Sequence, residues 1–330
     1  MNPHHSYRRL ALRAIGIAGL SLAAAQPALA QGFPNQPIRI VVPYGPGGTG
    51  DVIARFVAKK LSEDLNQSIV VENKAGAAGS IGAAYVARSP ADGYTLLLGY
   101  TSEMVINPLV QKGVTYNVAS DFTPVALAGS TPLLLVANPA VPARNLAELL
   151  ALAKAKPGTV TYATAGHGSP AHIAGALLAR DADVKLLGVP YKGGSQAVTD
   201  TVSGVVDVYF SGMPPAVPFV KSGKLTALGV TATEPSPALP DVPALAAHGF
   251  PRLDLASWFG FFVPHGVPAD RLAFLHDRIL AALQSAEVKQ GLAMQGVQTS
   301  GMSAAAFAGF VRNEQKKYAD LIKELNIAAE

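Results

Sequence analysis

Apolar residues along the chain alternate between short β-branched runs and stretches with helical spacing. The segment 38–42, IRIVV, is a β-branched run, and in 52–65 the apolar residues recur at intervals of three and four. Further strands are predicted at 68–72, 94–99, 133–137, 160–163, 185–189 and 206–210, and further helices at 80–87, 146–154, 171–178, 195–203, 270–284 and 304–325. Alternation of this kind predicts an α/β fold with mainly parallel sheets.

A unit of strand, glycine-rich turn and helix occurs twice, at 38–51 and at 160–172. Each half of the chain has its own set of strands, which predicts two lobes with a hinge between them. Pro and Gly cluster near 128–133 and in 235–258, the predicted crossovers between the lobes. Because ligands of open α/β sheets bind beyond the carboxyl ends of the strands, the glycine turns should line a cleft between the lobes. The predicted boundaries are 33–130 with 255–330 for lobe 1 and 131–254 for lobe 2.

The first thirty residues have the three-part layout of a secretory signal. Three arginines precede an apolar run at 14–25, and Ala28-Leu29-Ala30 has the small-x-small pattern that a signal peptidase accepts. We therefore expect residues 1–30 to be a cleavable signal peptide that directs the chain to the periplasm. No uninterrupted apolar stretch reaches the roughly 18 residues that a membrane-spanning helix needs.

The charge of the chain argues against a nucleic-acid partner. The sequence has 26 Lys and Arg against 22 Asp and Glu, a formal net charge of +4. Three of the arginines lie in the predicted signal, so 23 basic residues face 22 acidic ones in the predicted mature chain. Without a basic excess, a phosphate backbone has no electrostatic attraction to the protein. The sequence has no Cys, so disulfides, thiolate metal ligands and cysteine nucleophiles are excluded.

The turn after the first strand, YGPGGTGD at 44–51, matches a known fingerprint. Its glycines satisfy the G-x-G-x-x-G pattern of dinucleotide-binding folds, and Glu72 ends the next strand. Asp51, however, lies at the start of the following helix, where a pyrophosphate would need the positive end of the helix. A helix N-cap is the interpretation that we favour for Asp51. We therefore predict no cofactor, and a dinucleotide-binding protein stays an alternative.

Two further glycine turns, at 76–80 and 164–169, also lead into helices. Glycine lets backbone N–H groups approach a small anion, and the start of a helix favours negative charge. Three such turns around one cleft suit a carboxylate ligand. For each single turn, an equally open interpretation is that glycine only permits a tight connection from strand to helix.

Residue patterns for catalysis or metal binding do not stand out. His167 and His172 are five residues apart, which is not the i, i+4 spacing that places two metal ligands on one helix face. The segment 166–170 misses the nucleophile motif G-x-S-x-G by one residue, and no paired carboxylates suggest acid–base chemistry. We predict no catalytic residue and no metal site.

Several segments resemble, in order, the receptors of tripartite tricarboxylate transporters. The resemblance includes VPYGPGGTGD at 42–51, ENKAGAAG at 72–79 and PADGYTL at 90–96, and continues at 162–172, 189–193, 225–231 and 239–243. It covers nearly all of the predicted mature chain. It implies a monomeric periplasmic solute-binding protein of the two-lobed type II kind. Such a receptor closes about its hinge on a small organic acid and hands it to a membrane permease of one large and one small subunit.

The resemblance also implies how the ligand is held. In such receptors loop backbone groups, small hydroxyls and ordered water hold the carboxylate, rather than an arginine. Tyr191 and Asp207 are equally open to structural roles, as a packed ring and as a loop acceptor. Asp207 in particular would repel an anionic ligand unless it meets an amine or a water network. We expect Ser169→Ala to weaken binding and to leave the melting temperature nearly unchanged. Carried over by position, the ligand-binding residues are Tyr44, Gly47 and Gly48 in lobe 1 and Ala165, Gly168, Ser169, Tyr191 and Asp207 in lobe 2.

Two other classes of function stay open on the sequence alone. One is an exported enzyme on the same α/β scaffold, which would convert a candidate acid into a product. The other is a receptor that signals to a membrane partner instead of feeding a permease. Both would share the binding step with a transport receptor.

Overall fold

The computed structural model of the chain describes residues 32–327, so the predicted signal peptide lies outside the described residues. The chain divides into a short amino-terminal unit, Met1–Asn35, and a second unit, Gln36–Glu330. In the first unit residues 32–35 are described, and they form neither helix nor strand. In the second unit strands and helices alternate along the chain, which confirms the predicted α/β fold.

The elements lie close to most of the predicted segments. The strands are β1 (Ile38–Val42), β2 (Ile69–Asn73), β3 (Thr95–Tyr100), β4 (Phe122–Ala137), β5 (Thr161–Thr164), β6 (Leu187–Pro190), β7 (Val208–Gly212), β8 (Thr226–Val230), β9 (Ala256–Pro264) and β10 (Gln298–Thr299). The helices are α1 (Thr49–Leu65), α2 (Ser80–Ala87), α3 (Asn107–Val110), α4 (Val118–Asp121), α5 (Leu146–Ala155), α6 (Pro170–Asp181), α7 (Gly194–Val202), α8 (Met213–Lys221), α9 (Ala269–Gln284), α10 (Ala286–Ala293) and α11 (Ala304–Glu324). Shorter turns are a π-helix, Ser102–Ile106, and 3-10 turns at Ala77–Gly79, Ala246–His248 and Pro251–Leu253.

The strands form one sheet in the order β2-β1-β3-β9-β4-β7-β5-β6, with β8 and β10 paired to β4. On one flank β1 is parallel to β2 and β3, and on the other flank β5 is parallel to β6 and β7. The central strands β4 and β9 pair antiparallel with their neighbours. Parallel pairing therefore holds for the two flanks, and antiparallel pairs join them.

The long strand β4 belongs to both halves of this sheet. Its first part pairs with β9 as far as Pro132, and its last part, from Leu133, pairs with β7 and β8. The change of partner falls next to Pro132, which has no N–H to donate to a ladder. The predicted crossover at 128–133 lies in this part of β4, and the lobe boundaries themselves stay a prediction.

Strand β9 begins inside the segment 235–258 that the sequence suggested to be an extended connection. Its sequence, ASWFGFFVP, is buried at every position but the first. A strand buried on both faces is a continuous apolar run, without the alternation that marks a half-exposed strand. A Cβ added at Gly260 would lie 2.2 Å from the ring of Phe307, so α11 packs directly on this strand. The aromatic run of β9 is therefore core, and it was missed because prolines precede it.

The turns that follow the parallel strands lie at the edge of the sheet where the strands end. They connect β1 to α1, β5 to α6, β6 to α7 and β7 to α8. The two flanks run in opposite directions and pair with successive parts of β4, so the carboxyl ends of their strands, and with them the starts of these four helices, face each other where β4 changes partner. Among the helices between residues 32 and 327, none combines the length and the apolar character that a membrane-spanning segment needs.

Candidate functional site

Three of these helices begin at one gap, and glycine is the N-cap of each. The N-caps are Gly48 of α1, Gly193 of α7 and Gly212 of α8, and none has a side chain that caps the first turn. By contrast, the Ser303 hydroxyl caps α11. The first N–H groups of a helix have no acceptor within the helix. Hence α1 and α7 direct N–H donors and the positive ends of their dipoles at the gap.

The gap is a cavity of about 50 Å³, which has room for about one or two water molecules. None of the residues that line it is Lys, Arg or His. An anion bound here would therefore depend on N–H groups and hydroxyls. The lining residues are Tyr44, Gly48, Thr49, Gly50, Tyr100, Ala165, Gly194, Tyr209, Gly212, Pro215, Ser257 and Phe259.

A larger groove, of about 740 Å³, runs along the outer face of α2. Ile81 and Tyr85 of α2 and Gly113 are among its lining residues, and it does not include the turns after β1, β5 or β7. Volume alone favours this groove. The smaller cavity is the better candidate because helix starts from distant parts of the chain converge on it.

The glycine turns of the two halves of the chain touch each other around the cavity. A Cβ added at Gly166 would lie 3.1 Å from the Cβ of Ala78, and one added at Gly168 would lie 2.5 Å from Cγ2 of Val110. A Cβ at Gly45 would lie 3.7 Å from the Ser195 hydroxyl oxygen. The structure thus brings together the turns at 44–51, 76–80 and 164–169, with little space between them.

Three of the predicted ligand-binding residues line the cavity, namely Tyr44, Gly48 and Ala165. The amides of two others are already used inside their own turns. The Gly47 N–H donates to Asp51 Oδ2 at 3.0 Å, and the Gly168 N–H donates to Nδ1 of His172 at 3.1 Å. Gly47 and Gly168 therefore shape the turns rather than offer a free donor.

Ser169 is the N-cap of α6. Its hydroxyl accepts a hydrogen bond from the His172 N–H at 3.3 Å, and its side chain is 1% exposed. The family resemblance predicted a ligand contact for the Ser169 hydroxyl. In the structure it satisfies a helix start instead, so it supports the turn that carries Ala165.

The other two predicted residues lie outside the cavity lining. Tyr191 follows β6, where its N–H donates to the Thr164 carbonyl. Burial and a hydrogen bond to Asp200 raise the pKa of the Tyr191 hydroxyl. Asp207 precedes β7, and its Oδ2 accepts hydrogen bonds from the N–H and hydroxyl of Thr161, both at 2.7 Å. Since Thr161 and Asp207 mark the amino ends of their strands, Asp207 lies at the edge of the sheet opposite to the helix starts.

Several lining residues were missed by the sequence analysis. Tyr100, Tyr209 and Ser257 come from strands, and sequence spacing gives no indication that they meet. The Tyr100 and Ser257 hydroxyl oxygens are 3.1 Å apart, and the Tyr100 ring stacks on Phe259 with centroids 4.7 Å apart. One signal was available, because the pair Gly193-Gly194 lies between a predicted strand and a predicted helix, as the other glycine turns do.

Asp51 is the third residue of α1, not its N-cap as expected. It accepts hydrogen bonds from Gly47, from Arg55 at 2.9 Å and from Asn73 at 3.0 Å. Burial raises the pKa of the Asp51 carboxyl, but the hydrogen bonds from Arg55, Gly47 and Asn73 outweigh burial and leave that pKa below its usual value. Asp51 therefore remains ionised and fixes the glycine turn through the Gly47 N–H. With the turn fixed in this way, the first N–H groups of α1 stay directed at the cavity.

A second carboxyl, Glu103, lies directly behind the cavity wall. It is completely buried, and its Oε2 is 2.9 Å from the Tyr44 hydroxyl. Burial raises the pKa of Glu103 to about 8, although hydrogen bonds from backbone N–H groups and Tyr44 act in the opposite direction. Glu103 is therefore mostly a neutral acid at neutral pH. Within residues 32–327, no group of three or more His, Asp or Glu side chains is arranged to hold a metal ion.

Comparisons with known proteins place this cleft in context. The sequence profile described as tripartite tricarboxylate transporter family receptor matches residues 53–327. The protein BugT of Bordetella pertussis is 36% identical over 96% of this chain and 97% of its own length. A protein encoded between tcbD and tcbE in Pseudomonas sp. strain P51 is 36% identical over 98% of this chain and 96% of its own length.

Solved structures agree with the fold of the whole described chain. Rpa4515 of R. palustris, solved with adipate, has a TM-score of 0.88 at 32% identity and covers 91% of this chain and 100% of its own. MatC of Rhodopseudomonas palustris, solved with bound malate, has a TM-score of 0.83 at 31% identity and covers 88% of this chain and 100% of its own. The described residues therefore have the type II periplasmic-binding-protein fold.

The capping role of Ser169 leads to a changed expectation for Ser169→Ala. Loss of an N-cap hydroxyl costs about 1 kcal/mol, so the variant should unfold at lower urea concentration than the parent protein. Ser303→Ala removes the same kind of cap from α11 and should lower the free energy of unfolding by a similar amount. If Ser303→Ala is destabilised and Ser169→Ala is not, Ser169 does not cap α6 in solution.

Glu103 should make stability depend on pH. Its pKa of about 8 in the folded protein lies above the value of 4.5 for a free Glu side chain, so the folded state holds a proton that the unfolded state releases. The free energy of unfolding should fall as the pH rises through this interval and should level off above it. Glu103→Gln should remove most of this slope, whereas Glu63→Gln, the same change at an exposed site, should retain it. Equal slopes in all three proteins, measured by urea unfolding, would contradict a proton on Glu103.

Proposed function

The chain belongs to the tripartite tricarboxylate transporter receptor family, and we propose that it captures a small organic acid in the cleft between its lobes and delivers it to a membrane permease. The observation that carries this proposal is the convergence of the glycine-capped starts of α1, α7 and α8 on one cavity without a cationic side chain. Such a site stabilises a carboxylate through N–H groups and helix dipoles. It offers little to a cation or to a neutral apolar molecule.

We assign the contacts as follows. One carboxylate of the ligand accepts hydrogen bonds from N–H groups of the first turns of α1 and α7. The Thr49 and Tyr209 hydroxyls complete the shell, because both residues line the cavity and Tyr209 lies beside the first residue of α7. Tyr44 from lobe 1 and Ala165 from lobe 2 both form part of the cavity wall. Gly47, Gly168 and Ser169 act indirectly, by holding the two turns in place.

The small volume of the cavity supports a hinge mechanism. About 50 Å³ does not accommodate a four- or six-carbon diacid, so the lobes have to separate before such a ligand enters. We propose that the lobes, 33–130 with 255–330 and 131–254, move about β4 near Pro132 and about the segment before β9. A ligand then selects a partly closed form, in which the cavity is wider than in the described structure and the N–H groups of both lobes still reach the ligand.

Membership of the family supports a proposal for the location, the oligomeric state and the membrane partner of the protein. We propose that the protein acts as a monomer in the periplasm after its first thirty residues have been removed, and that the permease has one large and one small subunit. Because relatives of this fold have been solved with adipate and with malate, dicarboxylates are the first ligands to test. We propose no catalytic activity, since the family and its solved neighbours are binding receptors.

A thermal-shift screen of mono- and dicarboxylates tests the proposed function. At a hundredfold excess over its dissociation constant, a ligand stabilises the folded state by about 2.7 kcal/mol, which raises the melting temperature by several degrees. The matched amides and diamines should give no shift, since they lack the negative charge that the helix starts favour. Stabilisation by a diamine or an uncharged sugar, with no response to any acid, would exclude the proposed ligand class.

Tyr209→Phe tests the proposed contact shell. The Tyr209 hydroxyl lies 2.9 Å from the position of a Cβ added at Gly194, at the start of α7. A hydrogen bond to a charged group contributes about 1.5–3 kcal/mol, so the dissociation constant of the acid found in the screen should rise at least about tenfold. Tyr162→Phe makes the same change in β5, at a residue that does not line the cavity, and should leave the affinity unchanged. Calorimetric titration in which the two variants bind equally well would remove Tyr209 from the shell.

A further inference from the structure

Glu103 is a buried acid without a cationic partner. It lies in the short π-helix Ser102–Ile106, and its side chain is 0% exposed. No Lys, Arg or His within residues 32–327 contributes to its electrostatic surroundings. A buried carboxylate in such surroundings is costly, so the neutral acid is the favoured form. A π-helical turn of this kind is frequent at functional sites.

The hydrogen bonds around Glu103 distinguish its two protonation states. The Tyr44 hydroxyl oxygen lies 2.9 Å from Glu103 Oε2 and 2.8 Å from the Ala78 carbonyl oxygen, and a hydroxyl has only one proton to donate. When Glu103 is protonated, it donates to Tyr44, and Tyr44 donates to Ala78. When Glu103 is ionised, Tyr44 has to donate to Glu103, and Ala78 loses its bond to Tyr44. The backbone N–H of Tyr100 donates to Glu103 Oε1 at 2.6 Å in either state.

This chain of hydrogen bonds ends where the two lobes touch. Ala78 has a left-handed backbone, with φ of 47°, and faces Gly166 of the opposite turn. The neighbouring Gly79 passes so close to the acid that an added Cβ would lie 2.6 Å from Glu103 Oε2. Tyr44 itself lines the cavity. A proton on Glu103 is therefore connected, through one hydroxyl, to both the cavity wall and the contact between the lobes.

We propose that Glu103 is a positioning residue that works as a neutral acid, whose proton holds the Tyr44 hydroxyl toward Ala78 and whose ionisation weakens capture of an anionic ligand. The inference rests on the proposed function for the identity of the ligand. Ionisation would act in two ways: it would release the bond to Ala78, and it would place a negative charge directly behind the wall that the ligand carboxylate approaches.

Other titratable groups packed around Glu103 do not account for a change near pH 8. Burial raises the pKa values of Tyr44, Tyr100, Tyr116 and Tyr318 above that of free tyrosine, so these rings keep their protons. Glu314 of α11, which packs against the π-helix, is a second carboxyl whose pKa is raised by burial. Lys317 lies 3.7 Å from Glu314. Glu314 is therefore the control for any effect of a buried carboxyl.

The first measurement needs no ligand. Infrared difference spectra of the full protein should show the C=O band of a protonated carboxyl that disappears as the pH rises through about 8, in line with the pKa of Glu103. Glu103→Gln should abolish this band and Glu314→Gln should leave it. Tyr44→Phe should move the titration to higher pH, because the Tyr44 hydrogen bond lowers the pKa of Glu103. A band that survives Glu103→Gln, or a titration that Tyr44→Phe does not move, would overturn the proposal.

The second measurement uses adipate as the probe, in calorimetric titrations at about pH 7 and about pH 9, where both adipate carboxyls are ionised. The apparent affinity scales with the binding-competent fraction, so the parent protein should bind about tenfold more weakly at the higher pH. Glu103→Gln, whose amide can donate to Tyr44 as the neutral acid does, should bind well at both values. An equal loss of affinity in Glu103→Gln and in the parent protein would overturn the proposal.

The two measurements separate this inference from the proposed function. Absence of adipate binding to the parent protein at about pH 7 counts against the proposed function for this diacid, while the infrared titration still decides whether Glu103 holds a proton coupled to Tyr44. Binding of adipate with no pH dependence, together with a normal infrared band, would support the proposed function and overturn the coupling of the proton to capture.

Discussion

The uncapped N–H groups at the starts of α1 and α7 determine what the cavity between them can bind. Each helix begins at a glycine that offers no side chain to cap its first turn. The donors therefore need an acceptor from outside the helix, and the cavity between them has no cationic side chain that would attract an anion by itself. A carboxylate satisfies the donors and the dipoles together, which is why the site is suited to an organic acid.

The sheet determines that these donors face each other. Strands β1 and β6 run in opposite directions, because the antiparallel strands β4 and β9 join the two flanks, so the turns at their carboxyl ends face each other. Asp51 holds the turn before α1 through the Gly47 N–H, and Ser169 holds the turn between β5 and α6, which carries Ala165, through the His172 N–H. The Asp51 carboxylate and the Ser169 hydroxyl thus stabilise the turns, and in the proposed mode of binding the backbone N–H groups contact the ligand.

The sequence predicts the fold and three of the residues that line the cavity. The glycine turns and the alternation of strand and helix are local patterns, and they lead directly to Tyr44, Gly48 and Ala165 in the cavity wall. Tyr100 and Ser257 meet across 157 positions of the chain, and no local spacing reports a contact of that kind. Asp207 was misplaced for a related reason: β7 starts at Val208, so a residue predicted inside a strand lies before it and pairs with Thr161 at the far edge. The Gly47 and Gly168 N–H groups donate to side chains four residues further along the chain, Asp51 and His172. A glycine motif does not specify these acceptors, so it does not show that the two N–H groups are already in use.

A crystal structure of the protein with the acid that gives the largest thermal shift would show whether backbone N–H groups hold the ligand. We expect one ligand carboxylate within about 3.2 Å of backbone N–H groups from the first turns of both α1 and α7, without an ion pair to Lys or Arg. A ligand carboxylate paired with a cationic side chain would contradict this mode of binding. So would a ligand bound in the groove along α2, with the cavity between the starts of α1 and α7 unchanged.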